Sequence, residues 1–328
     1  MRHFPGTPDT NRTCDLPLRR GLLYPLSYRG VAGILPLGMY LIARVFVVFA
    51  LLAAPAQGQV TQPWGWDDGT VPYVQTPPEI VERMLRMAEV RMGDFLIDLG
   101  SGDGRIVIEA AKRGARAMGV DYDGNLVQLA TENAAKAGVS DRARFEKKDL
   151  FDTDLSPASV VSMYLLPNFN EKLLPRLLRL KPGTRIVSHD GGIGDWPADE
   201  TLEMRAPEKP VGVGGLSKVE LWIVPADAAG TWTSELPEHG GRWRFRIKQK
   251  YQMLDIDADA AAGKGHMTIR NSRLRGEELK MVITGVVGAT SWHHWFVGTV
   301  RGDRIEGTLV VSDSNRQRSY PWIATRAR

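Results

Sequence analysis

The spacing of apolar and polar positions divides the chain into a part that alternates between two periods and a part that keeps one. Behind Pro77-Pro78, Ile80, Val81, Met84, Leu85 and Ala88 fall at helical spacing, with Thr76 as the expected cap. The apolar run 95–99 predicts a strand with a glycine turn after it, and 105–113 a helix with Ile106, Val107 and Ile108 inward. Further strands are predicted over 117–121, 144–147, 160–165 and 185–189. Helices are predicted over 126–137, closed by Gly138, and over 171–180, stopped by Pro182-Gly183. One more strand, 218–224, follows a long segment rich in proline and glycine. Strands alternating with helices predict a doubly wound, Rossmann-like α/β fold, its mostly parallel sheet covered on both faces.

From 231 onward only the two-residue period persists. Strands are predicted over 242–253, 266–270, 279–283, 295–300, 304–311 and 320–325. Turn signals at Ala262-Gly263-Lys264-Gly265, Arg275-Gly276 and Arg301-Gly302-Asp303 separate them. This pattern predicts a small C-terminal antiparallel β domain, a barrel or a sandwich. The expected division is a non-structural leader over 1–38, a signal peptide or anchor over 39–56, a polar linker over 57–71, the α/β domain over 72–226 and the β domain over 227–328.

Composition narrows the function classes. With 43% hydrophobic and 24% charged residues, the chain of 328 can bury a sizeable core. Its net charge of +4 resides wholly in residues 1–56, where six arginines face two acids. The rest is neutral, so no basic footprint for a nucleic-acid partner is expected. Cys14, the single cysteine, lies in the same leader and leaves the folded part without a disulfide or a thiolate metal site.

Two further patterns invite a binding reading. Arg242, Arg244, Arg246, Lys248 and Lys250 alternate with Trp243, Phe245, Ile247 and Tyr251. A basic face on a half-buried strand explains this; the alternative is a surface for an acidic partner or a membrane. In Trp292-His293-His294-Trp295, adjacent side chains of a strand point to opposite faces, so the histidines are expected to pack and no metal is expected.

The central chemical signal is Asp98-Leu99-Gly100-Ser101-Gly102-Asp103-Gly104, directly behind a predicted strand and before a helix. Glycines let the backbone turn and approach a ligand where a Cβ would obstruct it. The dinucleotide pattern Gly-x-Gly-x-x-Gly fails, because Arg105 stands where it needs its third glycine. Asp121 ends the second strand, where a carboxylate can accept both ribose hydroxyls of a nucleoside, and Asp149 follows the third, where it can meet an adenine amino group with Leu150 packing the ring.

Residues 72–189 resemble the class I S-adenosylmethionine-dependent methyltransferases. More narrowly, they resemble the protein-lysine methyltransferases of the adenine nucleotide translocase and ATP synthase c subunit and their bacterial relatives. The resemblance is carried by Pro72-Tyr73-Val74-Gln75-Thr76-Pro77, Asp98 to Val107, Gly119-Val120-Asp121, Asp149-Leu150, Tyr164-Leu165-Leu166-Pro167 and Lys181-Pro182-Gly183. It implies S-adenosylmethionine as cofactor. Asp98, Gly100, Gly102 and Gly104 would hold its methionine moiety, Asp121 and the adjoining Tyr122 its ribose, and Asp149 and Leu150 its adenine. Tyr73 and Thr76 would close over it, and Tyr164 would sit near the transferred methyl group. His189, after the fifth strand, is a further candidate to act as a base or to orient the substrate. The acceptor is expected to be a protein lysine; a small-molecule acceptor and a non-catalytic nucleoside-binding module are the alternatives.

Met39 opens a short basic stretch, the apolar run 45–54 and Ala54-Pro55-Ala56, the pattern of a secretory signal peptide. The run is shorter than the roughly 20 apolar residues that span a bilayer. An exported, periplasmic protein is expected, with a membrane anchor over 39–56 and a cytosolic catalytic domain as the alternative.

Overall fold

The computed structural model describes residues 73–209, 215–236, 241–260, 267–287, 290–312 and 316–327. The leader, the signal or anchor segment, the linker and Pro72 therefore lie outside the described residues.

The first helix, α1 (Pro78–Met87), begins at a proline, whose fixed φ suits the first helical position. Thr76 is not its cap, contrary to expectation: Pro77 occupies that place and no side-chain cap bond forms. From there strands and helices alternate: β1 (Phe95–Leu99), α2 (Arg105–Lys112), β2 (Arg116–Asp121), α3 (Gly124–Lys136), β3 (Ala143–Lys147), β4 (Val160–Met163), α4 (Pro167–Leu177) and β5 (Arg185–His189). Two more strands, β6 (Glu200–Arg205) and β7 (Leu216–Ile223), complete a sheet of order β3-β2-β1-β4-β5-β7-β6. Neighbours among β1 to β5 run parallel, and β7 pairs antiparallel with both β5 and β6. The order reverses between β1 and β4, which opens a crevice at their carboxyl ends.

The core is split by the sheet. Leu96, Val160, Val187 and Val219 face α1 and α2, whereas Ile97, Val161, Ile186 and Trp222 face α4. At the end opposite the crevice, Asp94 accepts from Ser159 Oγ at 2.8 Å and from Arg91 N at 2.9 Å, and it pairs with Arg185. That cluster ties the starts of β1, β4 and β5 together.

The second sheet is antiparallel throughout, built from β8 (Gly230–Leu236), β9 (Gly241–Lys250), β10 (Met253–Ala260), β11 (Met267–Arg275), β12 (Glu278–Val287), β13 (Thr290–Arg301), β14 (Arg304–Ser312) and β15 (Gln317–Arg326). Its order is β10-β9-β8-β15-β14-β13-β12-β11. The two edge strands approach each other, and Ser272 Oγ donates to Leu254 O at 3.2 Å across the seam, so the sheet is a nearly closed barrel. Trp232, Phe245, Phe296 and Trp322 fill its interior, with the Phe296 and Trp322 rings 4.9 Å apart and edge-on. A small barrel packed with such rings has a solid core.

The basic face of β9 is matched from β10: Lys248, Arg246 and Arg244 stand opposite Asp255, Asp257 and Asp259. Arg246 bonds both Asp257 and Asp259, at 2.7 and 2.8 Å. His294 packs against Trp243 at 5.3 Å, while His293, on the other face, bonds Thr284 Oγ1 at 3.0 Å. The turn after β9 grips the first sheet. Trp196 Nε1 donates to Gln252 Oε1 at 2.7 Å, Gln252 Nε2 donates to Pro197 O at 2.6 Å, and Tyr251 stacks on Trp196.

Candidate active site

The crevice is lined first by the loop between β1 and α2. Gly100 N and Ser101 N both donate to Val120 O, at 3.0 and 2.9 Å, which binds the loop to the end of β2. Gly102 adopts a left-handed φ of +53°, and a Cβ there would stand 2.9 Å from Tyr73 Cδ2, so the tyrosine ring lies on the bare glycine. Gly102 N donates to Asp121 Oδ2 at 2.9 Å, and Asp123 N donates to Oδ1 at 3.0 Å. Arg105 clasps Asp103 at 2.6 Å and reaches Thr76 O at 2.7 Å. Thr76 itself is buried. The segment 73–77 is thereby latched over the glycine loop.

Burial sets the charges here. Asp98, 2% exposed, receives a hydrogen bond from Ser162 Oγ at 2.7 Å. Desolvation nevertheless pushes its carboxyl up to about 7, helped by the negative Asp121 and Asp103. Desolvation also raises Asp121. It works the same way on Asp103, but the Arg105 guanidinium prevails and holds that carboxyl below its usual range.

The other expected residues are distributed unevenly. Asp149 follows β3 and is exposed; its Oδ1 accepts from Phe151 N at 2.8 Å and so caps the turn 150–152, with Leu150 half-buried against the core behind it. Tyr122 is 72% exposed, its ring turned outward beside Asp121. Gly100 stands against Leu165, where a Cβ would approach Cδ2 to 3.0 Å. Gly104 stands against protein on its bare side. Its Cβ position is taken by Phe145 and by Ala130 at 2.9 Å, so its bareness seats α2 and α3 on the sheet.

On the far side of the crevice, Tyr164 follows β4 directly and packs on His189, ring centroids 4.0 Å apart and planes tilted by 36°. Its hydroxyl is pushed up to about 12 by burial, with the Asp190 carboxylate adding to the shift. His189 is fully buried. Its Nε2 lies 3.0 Å from Ser217 Oγ and 3.3 Å from Asp190, and burial lowers it to about 4. Fully buried and neutral, His189 lies beneath the Tyr164 ring and turns no open face to the crevice. No motif marks Ser162, Lys209 or Ser217: Ser162 and Ser217 meet these residues through strands that pair across the sheet, and Lys209 reaches Asp190 from the segment after β6.

The arrangement fits S-adenosylmethionine. Asp98 offers a buried carboxylate to an ammonium, the cationic end of the methionine moiety's amino-acid group. Asp121 offers carboxylate lone pairs at a strand end, where a ribose would lie. Ser101 Oγ is buried with no hydrogen-bond partner, a polar group awaiting one. When bound, the cofactor supplies an electrophilic methyl group on a sulfonium.

Comparison with known proteins agrees. Residues 98–200 match the ANTKMT methyltransferase domain. A protein-lysine N-methyltransferase of Saccharolobus islandicus is 46% identical over 137 residues, 41% of this chain and 85% of that protein. The adenine nucleotide translocase lysine N-methyltransferase of mouse is 32% identical over 192 residues, covering 58% of this chain and 76% of that one. Among solved structures, an RNA methyltransferase from Salinibacter ruber in complex with S-adenosyl-L-homocysteine is 46% identical, spans 47% of this chain and 95% of its own, and superposes with a TM-score of 0.42. The chain belongs to the S-adenosylmethionine-dependent methyltransferases, in the family of the ANTKMT methyltransferase domain.

Proposed function

We propose that this chain methylates the ε-amine of a protein lysine. The observation that carries the reading is the 46% identity to a protein-lysine N-methyltransferase across 85% of that protein. The geometry supports it. Methyl transfer from a sulfonium asks the chain to hold the reactants in line and to exclude water. Asp98, Gly100, Gly102 and Asp121 hold the cofactor on one side of the crevice, with Asp149 and Leu150 at its adenine end and Tyr73 and Thr76 as its cover. Tyr164 faces the acceptor on the other side. A lysine reacts only as the neutral amine, and a desolvated channel favours that form over the ammonium, whose ordinary pKa is about 10.4.

Incubation of the purified chain with methyl-tritiated S-adenosylmethionine and fractionated cell extract tests this. Methyl-lysine in the protein hydrolysate is the expected product. Label confined to RNA or to low-molecular-weight material would overturn the lysine assignment and leave the methyltransferase intact.

The acceptor's compartment is part of the same proposal. Residues 39–56 are read as an export signal, or as an anchor that places the protein at a membrane. A fusion of residues 39–70 to a reporter active only after export distinguishes the two.

A further inference from the structure

The segment 73–77 meets the N-terminus of α1 as a stiff arm. Pro77 is extended, with a φ of −56° and a ψ of 146°, and it biases Thr76 before it toward extended backbone as well. A bond at Thr76 therefore sets the angle of the arm over the glycine loop. Arg105, the first residue of α2, supplies that bond. Its Nε donates to Asp103 Oδ1 at 2.9 Å and its Nη2 to Asp103 Oδ2 at 2.6 Å, a two-point clasp that orients the guanidinium plane. The remaining Nη1 donates to Thr76 O at 2.7 Å. Asp103 is fixed in turn, because Asn133 Nδ2 of α3 donates to its carbonyl at 3.0 Å. At the other end of the arm the Tyr73 ring rests on bare Gly102, where a Cβ would collide with it. The clasp is not deep core. A cavity of about 470 Å³, lined by Asp103 and Arg105 together with Pro78, Val81, Ile108 and Asn133, adjoins it.

We propose that Arg105 is a positioning residue that governs how long the S-adenosyl cofactor stays bound: clasped by Asp103, it holds the arm at Thr76 and so keeps the Tyr73 ring down on the glycine loop. A planar, forked cation can make both connections at once. A lysine brings the same charge on a single nitrogen, which cannot span both carboxylate oxygens and the carbonyl. Asp103 belongs to the loop that cradles the cofactor, so loop and arm form one hydrogen-bonded unit. The cofactor leaves when that unit opens at Thr76. Loss of the clasp therefore acts on departure and leaves the contacts inside the crevice in place. The proposal rests on the cofactor and is independent of the acceptor.

The test follows tritiated S-adenosylhomocysteine leaving the full chain into an excess of unlabelled ligand. Arg105→Ala should raise the dissociation rate by about tenfold or more, the scale of a hydrogen bond to a charged group, without slowing association. Tyr73→Ala should raise it as well, and the two substitutions together should add little to either alone, because both remove the same cover. Arg105→Lys should resemble Arg105→Ala. Should Arg105→Ala fail to fold, Asp103→Asn, which loosens the clasp and keeps the guanidinium, should raise the rate in the same way. A native dissociation rate in the folded variants overturns the proposal. Full multiplication of the two effects in the double variant overturns it too, since Arg105 and Tyr73 would then act independently. So does a native rate in Arg105→Lys, because charge alone would then replace the fork.

Discussion

Gly102 and Asp121 are joined by one hydrogen bond, from the loop N–H to the carboxylate at 2.9 Å. The bond turns the glycine loop and the end of β2 into a single cradle, fixed before any ligand arrives. Asp121→Ala removes both the ribose partner and the brace on the loop. The expected result is a loss of about 10- to 100-fold in S-adenosylhomocysteine affinity by calorimetry, equivalent to about 1.4–2.7 kcal/mol. Unchanged affinity would contradict the cradle.

Asp98 predicts a pH dependence of the same binding. Its folded pKa of about 7 lies above the unfolded value, so its contribution to stability is full below about pH 4 and is lost as pH rises through 7. A ligand that presents its ammonium to Asp98 needs the ionised form. Affinity for S-adenosylhomocysteine should therefore rise about tenfold per unit up to pH 7 and then level off. Asp98→Asn should flatten that profile, weaken binding and raise the melting temperature above pH 7. A variant that melts lower and still binds with the native pH profile would show that the buried acid is neither a burden nor a ligand.

Asp94 gives the opposite sign. Desolvation works to raise it, but Arg91 N, Ser159 and Arg185 outweigh burial and hold it below the ordinary range. Its contribution is present above the unfolded pKa of about 4 and is lost as pH falls through the lower folded value. Asp94→Ala leaves the mostly buried Arg185 unpaired, with a cost of about 3 kcal/mol at pH 7. Urea titrations at pH 7 and pH 3 should show that difference narrowing at the lower pH.

Legibility in the sequence followed the kind of interaction. The parallel strands were readable because strands buried on both faces are apolar runs, as in Leu96-Ile97 and Val160-Val161. β6, an edge strand of half-exposed residues, was lost in the segment before β7, and β10 was hidden because its alternate aspartates resemble a turn. Asp98 and Gly102 stand out in the motif and Asp121 at a strand end, and Gly102 N donates to Asp121 Oδ2 at 2.9 Å. Gly104 shares the motif, but its bare Cα faces the Phe145 ring, far along the chain and invisible to spacing. His189 stands out as a strand-end histidine, a place for a base or a substrate-orienting group; its burial beneath the tilted Tyr164 ring is set by packing that spacing does not show.

Gln252 bears on how the two sheets unfold. Its amide is buried between Trp196 Nε1 and Pro197 O, 2.7 and 2.6 Å away, and it holds that indole to the barrel beside the stacked Tyr251 ring. Gln252→Ala deletes two buried hydrogen bonds and strands the indole N–H, a cost of about 2–3 kcal/mol. Trp196 stacks on Tyr251 and accepts from Trp222 Nε1 through its carbonyl, so the indole reports on both sheets at once. If the clamp makes them cooperative, native protein melts in one tryptophan-fluorescence transition and Gln252→Ala shifts or splits it. If the sheets are energetically independent, the variant leaves the barrel's own transition where it was, because Trp232 and Trp322 sit in a core that Gln252 does not touch.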